Sequence, residues 1–435
     1  MSRLRQYKKL GLLPLAAVIF LTVSGGPYGL EPLLYYGGKN GAFLFLLITP
    51  LLWDTPAILT VMELNSMMPV NGGYYVWVKK ALGQRLGFYE GWWSWLYSFT
   101  DLAIYPVLFV TYISFFFPQA ILFKIPVCLC FIWGSALLNI LGINPVGKIS
   151  LLLGALVLIP FLLLSGITVY HLQAATITPP SLDGISFSMG GMALYTVMWN
   201  FIGWDNVTTY AAEVERPVHT YIKGIIIAFM ITVSVYAFAV FAAQHTGVTA
   251  TALRDQGFPV LGLLTAGHWL GVLLAIGGMA SSLGIFSAVL LSVSRIPKVM
   301  ADDNLMPAGL NKLHGKYGTP YISIIVCAAA VSLMVSWDLA GLVIIDIIIY
   351  GAGLILEFIS LVIFRIKEPG MERPFKIPLG VKGLCCMLLL PVAIYVIAFI
   401  SVLQSESTLR PVIFAVVALG SAEVSWQVVT RKAKH

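Results

Sequence analysis

Twelve apolar segments, most of about 20 residues, divide this chain, and that spacing constrains its fold more than any single motif does. Cut at Gly, Pro and clusters of charge, they fall near 10–36, 41–66, 90–117, 125–142, 148–170, 186–213, 221–244, 266–294, 319–336, 340–364, 383–403 and 411–429. About 20 apolar residues in a helix cross the roughly 30 Å hydrocarbon core of a bilayer. Charged residues make up 10% of the chain and hydrophobic ones 59%, where an ordinary soluble domain is about a quarter charged. The expected class is an all-α membrane protein, a single multi-pass domain over 1–435 with 12 transmembrane helices. The basic start MSRLRQYKK before an apolar run resembles a signal peptide. A first span is expected instead, because no small-residue cleavage site leads into a soluble domain.

The net charge of +7 raises the question of nucleic acid, but the placement of the basic residues argues for membrane topology. With both termini inside, 22 of the 26 Lys and Arg fall in cytoplasmic segments, and Lys39, Lys124, Arg254 and Arg410 fall outside. That is the positive-inside bias of a multi-pass protein in a plasma or inner membrane, with the lipid bilayer and not nucleic acid as its partner. The five cysteines, Cys128, Cys130, Cys327, Cys385 and Cys386, lie within or at the ends of spans and form no CxxC pair. They read as small apolar fillers, with no disulfide and no metal site expected.

Two of the segments are interrupted. In the first, TVSGGPYGLE places three glycines and a proline near mid-depth, which predicts a helix ending near Val23 and restarting at Pro27. In the sixth, WNFIGWDNVTTYAAEVERP places Asn200, Gly203, Asp205 and Asn206 at a similar depth. An unsatisfied backbone group costs several kcal/mol in hydrocarbon, so a broken span survives only inside protein or beside a wet cavity. One break reads equally well as a packing kink. Two are separated by 177 residues, from Gly26 to Gly203, and the third and eighth segments start near 90 and 266, almost the same distance apart. Segments offset by an odd number of spans are inverted in the membrane. Matched interruptions in two inverted halves, 10–170 and 186–364, point to a transport site at the bilayer midplane, with 383–429 standing outside the repeats.

Six acids, Glu31, Asp54, Asp101, Asp205, Asp346 and Glu357, lie within the spans, and no Lys or Arg lies near mid-depth. An intramembrane acid costs about 2.5 to 3.5 kcal/mol at helix centre, so these must be protonated, hydrogen-bonded, solvated or paired with a cationic ligand. Tyr97, Asp101 and Tyr105 step by four along one face of the third span. Asp346 and Tyr350 share a face of the tenth, with Glu357 two turns on. Asp205 suits either a helix cap or an ammonium site beside the Trp204 ring. Asp54 and Asp346 read as structural hydrogen-bonding groups. Two connections suit the cytoplasmic face: MPVNGGYYVWVKKALGQRLG as an interfacial loop, and SRIPKVMADDNLMPAGLNKL as a short surface helix.

Taken together, SGGPYGLE, DLAIYPVLF, WDNVTTYAAEVERP, SRIPKVMADDNLMP and LEFISLVIFRIKEPGMERPFKIPLG resemble the amino acid/polyamine/organocation transporter superfamily over nearly the whole chain. The first break looks like the SGGPFGxE of the polyamine:proton symporters first recognised in plants and protozoa, which also carry Trp-Asp in the sixth span. The resemblance implies a leucine-transporter-type fold, an inverted five-plus-five repeat with discontinuous helices 1 and 6 and two added helices, working by alternating access. It matches Gly25, Gly26, Tyr28, Glu31, Trp204 and Asp205 to substrate-site motifs, and Asp101, Tyr105 and Glu357 to further family positions. Two departures matter. Gly26-Pro27 has one amide donor fewer than the Gly-Ser-Gly-Ile of many amino-acid members, and Val157 stands where several proton-coupled members have a lysine.

The leading expectation is secondary uptake of a polyamine or related organic cation. The alternative is a proton-coupled amino-acid permease or exchanger. Proton coupling is expected over sodium, with Glu31 or Asp101 as carrier; Ser281 and Ser282 on the eighth span are the features that suit sodium. A channel suits the paired breaks less well. The chain contains no HExxH, GxSxG or GxxxxGK[ST] motif, which argues against a membrane enzyme or a nucleotide-driven pump and for no cofactor.

Overall fold

A chain in hydrocarbon must satisfy its backbone polar groups internally, and helices do so within one segment. The computed structural model describes residues 11–70, 72–141, 146–171, 180–206, 208 and 217–432, and all regular structure among them is helical. In order these are α1 (Leu12–Val23), α2 (Leu33–Thr49), α3 (Thr55–Met67), α4 (Gly73–Leu82), α5 (Gln84–Ile113), α6 (Lys124–Ile140), α7 (Val146–Tyr170), α8 (Phe187–Trp199) and α9 (Pro217–His245). There follow α10 (Ala250–Gln256), α11 (Phe258–Ala266), α12 (His268–Val293), α13 (Arg295–Asp302), α14 (Tyr321–Met334), α15 (Leu339–Lys367), α16 (Val381–Val402) and α17 (Glu406–Lys432).

Among the described residues, eight helical stretches are long and apolar enough to cross a membrane: Leu33–Met67, Gln84–Ile113, Leu152–Tyr170, Val218–His245, His268–Asp302, Leu339–Lys367, Val381–Val402 and Glu406–Arg431. The apolar helices α6 and α14 are shorter. The helices that open the first and sixth apolar segments, α1 and α8, have 12 and 13 residues, because both stop at the interruptions. Burial separates centre from edge. In α5 and α15, 67% and 78% of the apolar window is buried, against 28% in α16 and 17% in α17. The centre of the bundle is therefore α5 and α15 packed on each other, with α12 against α5 and α1 against α7, α9 and α12.

Helix α1 ends at Val23, where the glycines place the break. Gly25 and Gly26 take φ of 55° and 95°, which an L side chain rarely adopts, and a Cβ at Gly26 would run into Val157 of α7. The helix does not restart at Pro27. Gly29, at φ 104°, lies in the left-handed region two residues on, so a helix begun at Pro27 cannot propagate and α2 begins only at Leu33. In the sixth segment α8 ends at Trp199 and the chain is irregular from Asn200 to Asn206, with Gly203 at φ 95°. Residues 209–216, where the resumed helix is expected, lie outside the described residues, as do the basic residues of 1–10 and Arg216.

One connection folds further than expected. The segment read as an interfacial loop forms α4, and its aromatic face, Tyr74, Tyr75 and Trp77, is buried against α5 and α15. Trp77 donates its indole N–H to the Met68 carbonyl 3.0 Å away, which docks the helix start. The segment after α12 forms the expected short helix, α13. Between α15 and α16 the chain is tied down by Glu63 of α3. Fully buried, its carboxylate accepts from Arg365 Nε at 2.5 Å and from the Ile377 amide at 2.9 Å, with Arg373 Nε 3.4 Å away.

Candidate substrate site

The two interruptions meet. Tyr236 of α9 donates its hydroxyl to the Asn200 carbonyl at 2.9 Å and lies 3.5 Å from the Ser24 carbonyl, so one side chain spans both breaks. Ser281 of α12 donates to the Gly25 carbonyl at 2.5 Å, and the Ser24 hydroxyl accepts from the Gly26 amide at 3.1 Å. These bonds satisfy part of the backbone that the breaks expose.

Between the breaks lies a narrow cavity, with room in this conformation for about one water molecule. Its walls are Thr22, Val23 and Ser24 at the end of α1, Trp199, Asn200, Ile202 and Gly203 around the end of α8, Asn206, Ile285 of α12, and Asp101 and Tyr105 of α5. Two helix C-terminal ends therefore face one space, and each carries partial negative charge that favours a cation. Among the described residues Asp101 is the one carboxylate lining it. Its Oδ1 accepts from the Tyr105 hydroxyl at 2.8 Å and from the Trp199 indole N–H at 3.2 Å. Both donors converge on Oδ1. The Tyr105 and Trp199 rings lie 6.2 Å apart beside the carboxylate.

A second, tighter space adjoins it, lined by Glu90, Ser94 and Tyr97 of α5, Asp205, and Tyr350, Gly353 and Glu357 of α15. The Tyr350 hydroxyl donates to Asp205 Oδ1 at 3.2 Å, and Ser94 to Glu90 Oε1 at the same distance. The partition between the two spaces is a hydrogen bond of 3.0 Å from the Tyr97 hydroxyl to Asn206 Oδ1. The neighbouring Trp204 packs edge-on against Phe229, its indole N–H turned toward the Asp54 carboxylate without the geometry of a full hydrogen bond. Asp346 Oδ1 lies 3.3 Å from the Thr100 hydroxyl, and its Oδ2 is buried without a partner.

The far side of the first break holds Tyr28 and Glu31, apart from both spaces. Glu31 accepts from its own turn, the Gly29 amide at 2.5 Å, and from the Tyr112 hydroxyl at 2.8 Å. Tyr28 donates to the Leu274 carbonyl at 2.8 Å and packs against Tyr112, Phe161 and Phe258. The structure thus sorts the residues singled out from the sequence into three groups. Asp101 and Tyr105 line the central cavity, with Gly25 and Gly26 in the break beside it. Asp205 and Glu357 line the adjoining space, with Trp204 next to Asp205. Tyr28 and Glu31 brace the turn that follows the break.

Comparison with known proteins agrees with this architecture. A family model described as amino acid permease matches residues 10–420. The chain belongs to that family. It is accordingly a multi-pass membrane transporter of the amino acid/polyamine/organocation superfamily, and not an enzyme. Among the family's curated members, the polyamine transporter RMV1 of Arabidopsis thaliana is 32% identical over 95% of this chain and 84% of its own length. The polyamine transporter PUT1 of Oryza sativa subsp. japonica is 32% identical over 95% of this chain and 76% of its own length. The branched-chain amino acid permease BcaP of Bacillus subtilis is more distant, 26% identical over 74% of this chain and 73% of its own.

In this permease the residues that sequence reasoning passed over are Trp199, Tyr236 and Glu90. Trp199 and Asp101 are 98 positions apart, so no periodicity links them. Tyr236 sits inside an unbroken apolar run, where a tyrosine reads as packing. Glu90 falls at the edge of the third segment, where a carboxylate reads as solvated. It is 1% exposed.

Proposed function

We propose that this protein is a secondary active transporter carrying polyamines or related organic cations by alternating access around its two interrupted helices. The observation that carries this reading is Asp101. A lone carboxylate in a cavity walled by two aromatic rings and two helix C-terminal ends attracts an ammonium group through charge, dipole and cation–π terms together. The same cavity offers few donors for the carboxylate of an amino acid, because Pro27 removes an amide and the nearby Gly26 amide already bonds Ser24. The names of the plant relatives point the same way. In this reading the twelve apolar segments form an inverted five-plus-five repeat with two added helices, both termini cytoplasmic, in a cell membrane. Asp101, Tyr105 and Trp199 contact the substrate, with Gly25 and Gly26 supplying backbone carbonyls. Asp205, Trp204 and Glu357 belong to the next layer of the path, and Tyr28 and Glu31 hold the shape of the break.

Loss of a desolvated charge partner costs about 2 to 5 kcal/mol, or roughly 30-fold or more in affinity. Asp101→Asn is therefore expected to raise the half-saturating concentration for labelled spermidine by at least that factor while the protein still inserts and purifies as one species. Normal spermidine uptake by the variant would remove the anchor on which the reading stands.

A further inference from the structure

Glu90, Asp205 and Glu357 come from three separate stretches of chain into one space that is too tight for a water molecule. Each is at most 2% exposed, and each lies within electrostatic reach of the other two. Glu357 receives no hydrogen bond among the described residues, and its Oε2, like Oε2 of Glu90, is buried without a partner. The site is built for these groups. Gly353 lies one helical turn before Glu357 on α15, and a Cβ there would stand only 3.0 Å from Glu90 Oε1, so its absence makes the seat for the Glu90 carboxylate. Among the described residues the other titratable groups facing the cluster are tyrosines: Tyr74 of α4, Tyr97 of α5 and Tyr350 of α15. No Lys, Arg or His lines it among the described residues, and no group of three or more acids, His or Cys is placed to hold a metal ion.

Three carboxylates cannot remain ionised together in a dry space with no room for a cation and none among the described residues that line it. We propose that Glu90, Asp205 and Glu357 form the proton-binding site of this transporter, distinct from the cavity that takes the substrate and holding the co-transported proton while the site is contracted. This rests on the cation-carrier reading above. Coupling follows from position. Asp205 lies on the irregular stretch that also walls the central cavity, and the Tyr97–Asn206 bond joins the two spaces. The cluster lies toward the basic ends of α4 and α15, at Lys79, Lys80, Arg365 and Lys367, the side the charge bias assigns to the cytoplasm. A proton arriving from the outer solution on one carboxylate oxygen lets the three groups pack. Its release to the inner solution leaves an additional negative charge, and repulsion then drives α5, α15 and the α8 interruption apart.

Glu90 is the residue to change, because it does not line the central cavity. Glutamine mimics the protonated acid and cannot release the proton. Exchange of internal for external spermidine at equal pH needs no net proton movement, whereas accumulation driven by an inward proton gradient does. In liposomes holding the full-length protein, Glu90→Gln is expected to keep labelled-spermidine exchange near the wild-type rate. Gradient-driven accumulation is expected to fall by roughly tenfold or more, and Glu90→Asp to recover it. Accumulation by Glu90→Gln at the wild-type level overturns the proton site and leaves the cation-carrier reading standing. Loss of both activities without recovery in Glu90→Asp makes Glu90 a structural residue and overturns it as well. A wild type that moves spermidine in neither assay overturns both readings.

Discussion

Trp199 closes the list of side chains that meet at Asp101, and it gives a graded test of the cavity. Removing both its N–H and its ring should weaken an ammonium ligand by about 0.5–2 kcal/mol, a roughly 2- to 30-fold rise in half-saturation. Trp199→Leu is expected to show the full effect in spermidine uptake, and Trp199→Phe, which keeps the aromatic face, a smaller one. An unchanged half-saturation in Trp199→Leu would mean that the ring does not contact the substrate. Sequence reasoning settled on Trp204 because an adjacent carboxylate makes a visible pair. Adjacent residues beyond a helix end diverge, however, and Trp204 turns to Phe229 and Asp54 while Trp199, on the last turn of α8, reaches α5. Asp101 was legible because its partner Tyr105 lies four residues on along the same helix.

At the scale of elements, the interruptions decide the architecture, and Gly26 is where they are most exposed to test. Alanine at φ 95° is strained by about 1–2 kcal/mol before any contact is counted, and its Cβ also meets Val157. Gly26→Ala is expected to abolish uptake in protein that still purifies as one species. Adding Val157→Ala is expected not to restore it, because the strain is in the backbone. Full recovery in the double variant would show that crowding by Val157, and not the left-handed conformation, requires glycine. Where α1 and α8 stop could be read from Gly, Pro and Asn alone, since those residues act locally. Where α2 starts could not, because it depends on Gly29 adopting a left-handed conformation and on Glu31 folding back to its amide. Helix α4 was equally hidden. Its paired glycines look like a loop, and only burial of Tyr74, Tyr75 and Trp77 against α5 and α15 makes a helix the better solution.

For the whole molecule, the order of burial organises the account. Of the membrane-length helices the most buried, α5 and α15, carry Asp101, Glu90 and Glu357, and Asp205 reaches them from the irregular stretch after α8, while α16 and α17 are the least buried. Composition and segment length make the membrane class legible, because hydrocarbon accepts little else. The division of the acids into a central cavity, a contracted cluster and a braced turn was not legible, because Glu31, Asp101, Asp205 and Glu357 look alike along the chain and differ in what packs against them. The central claim is that this permease carries organic cations through the cavity at Asp101, and counterflow tests it most directly. Liposomes containing the purified protein and loaded with unlabelled spermidine should take up labelled spermidine transiently above its equilibrium level, with saturation, and excess neutral amino acid should not compete. Counterflow of neutral amino acids with none for spermidine or putrescine would contradict the account.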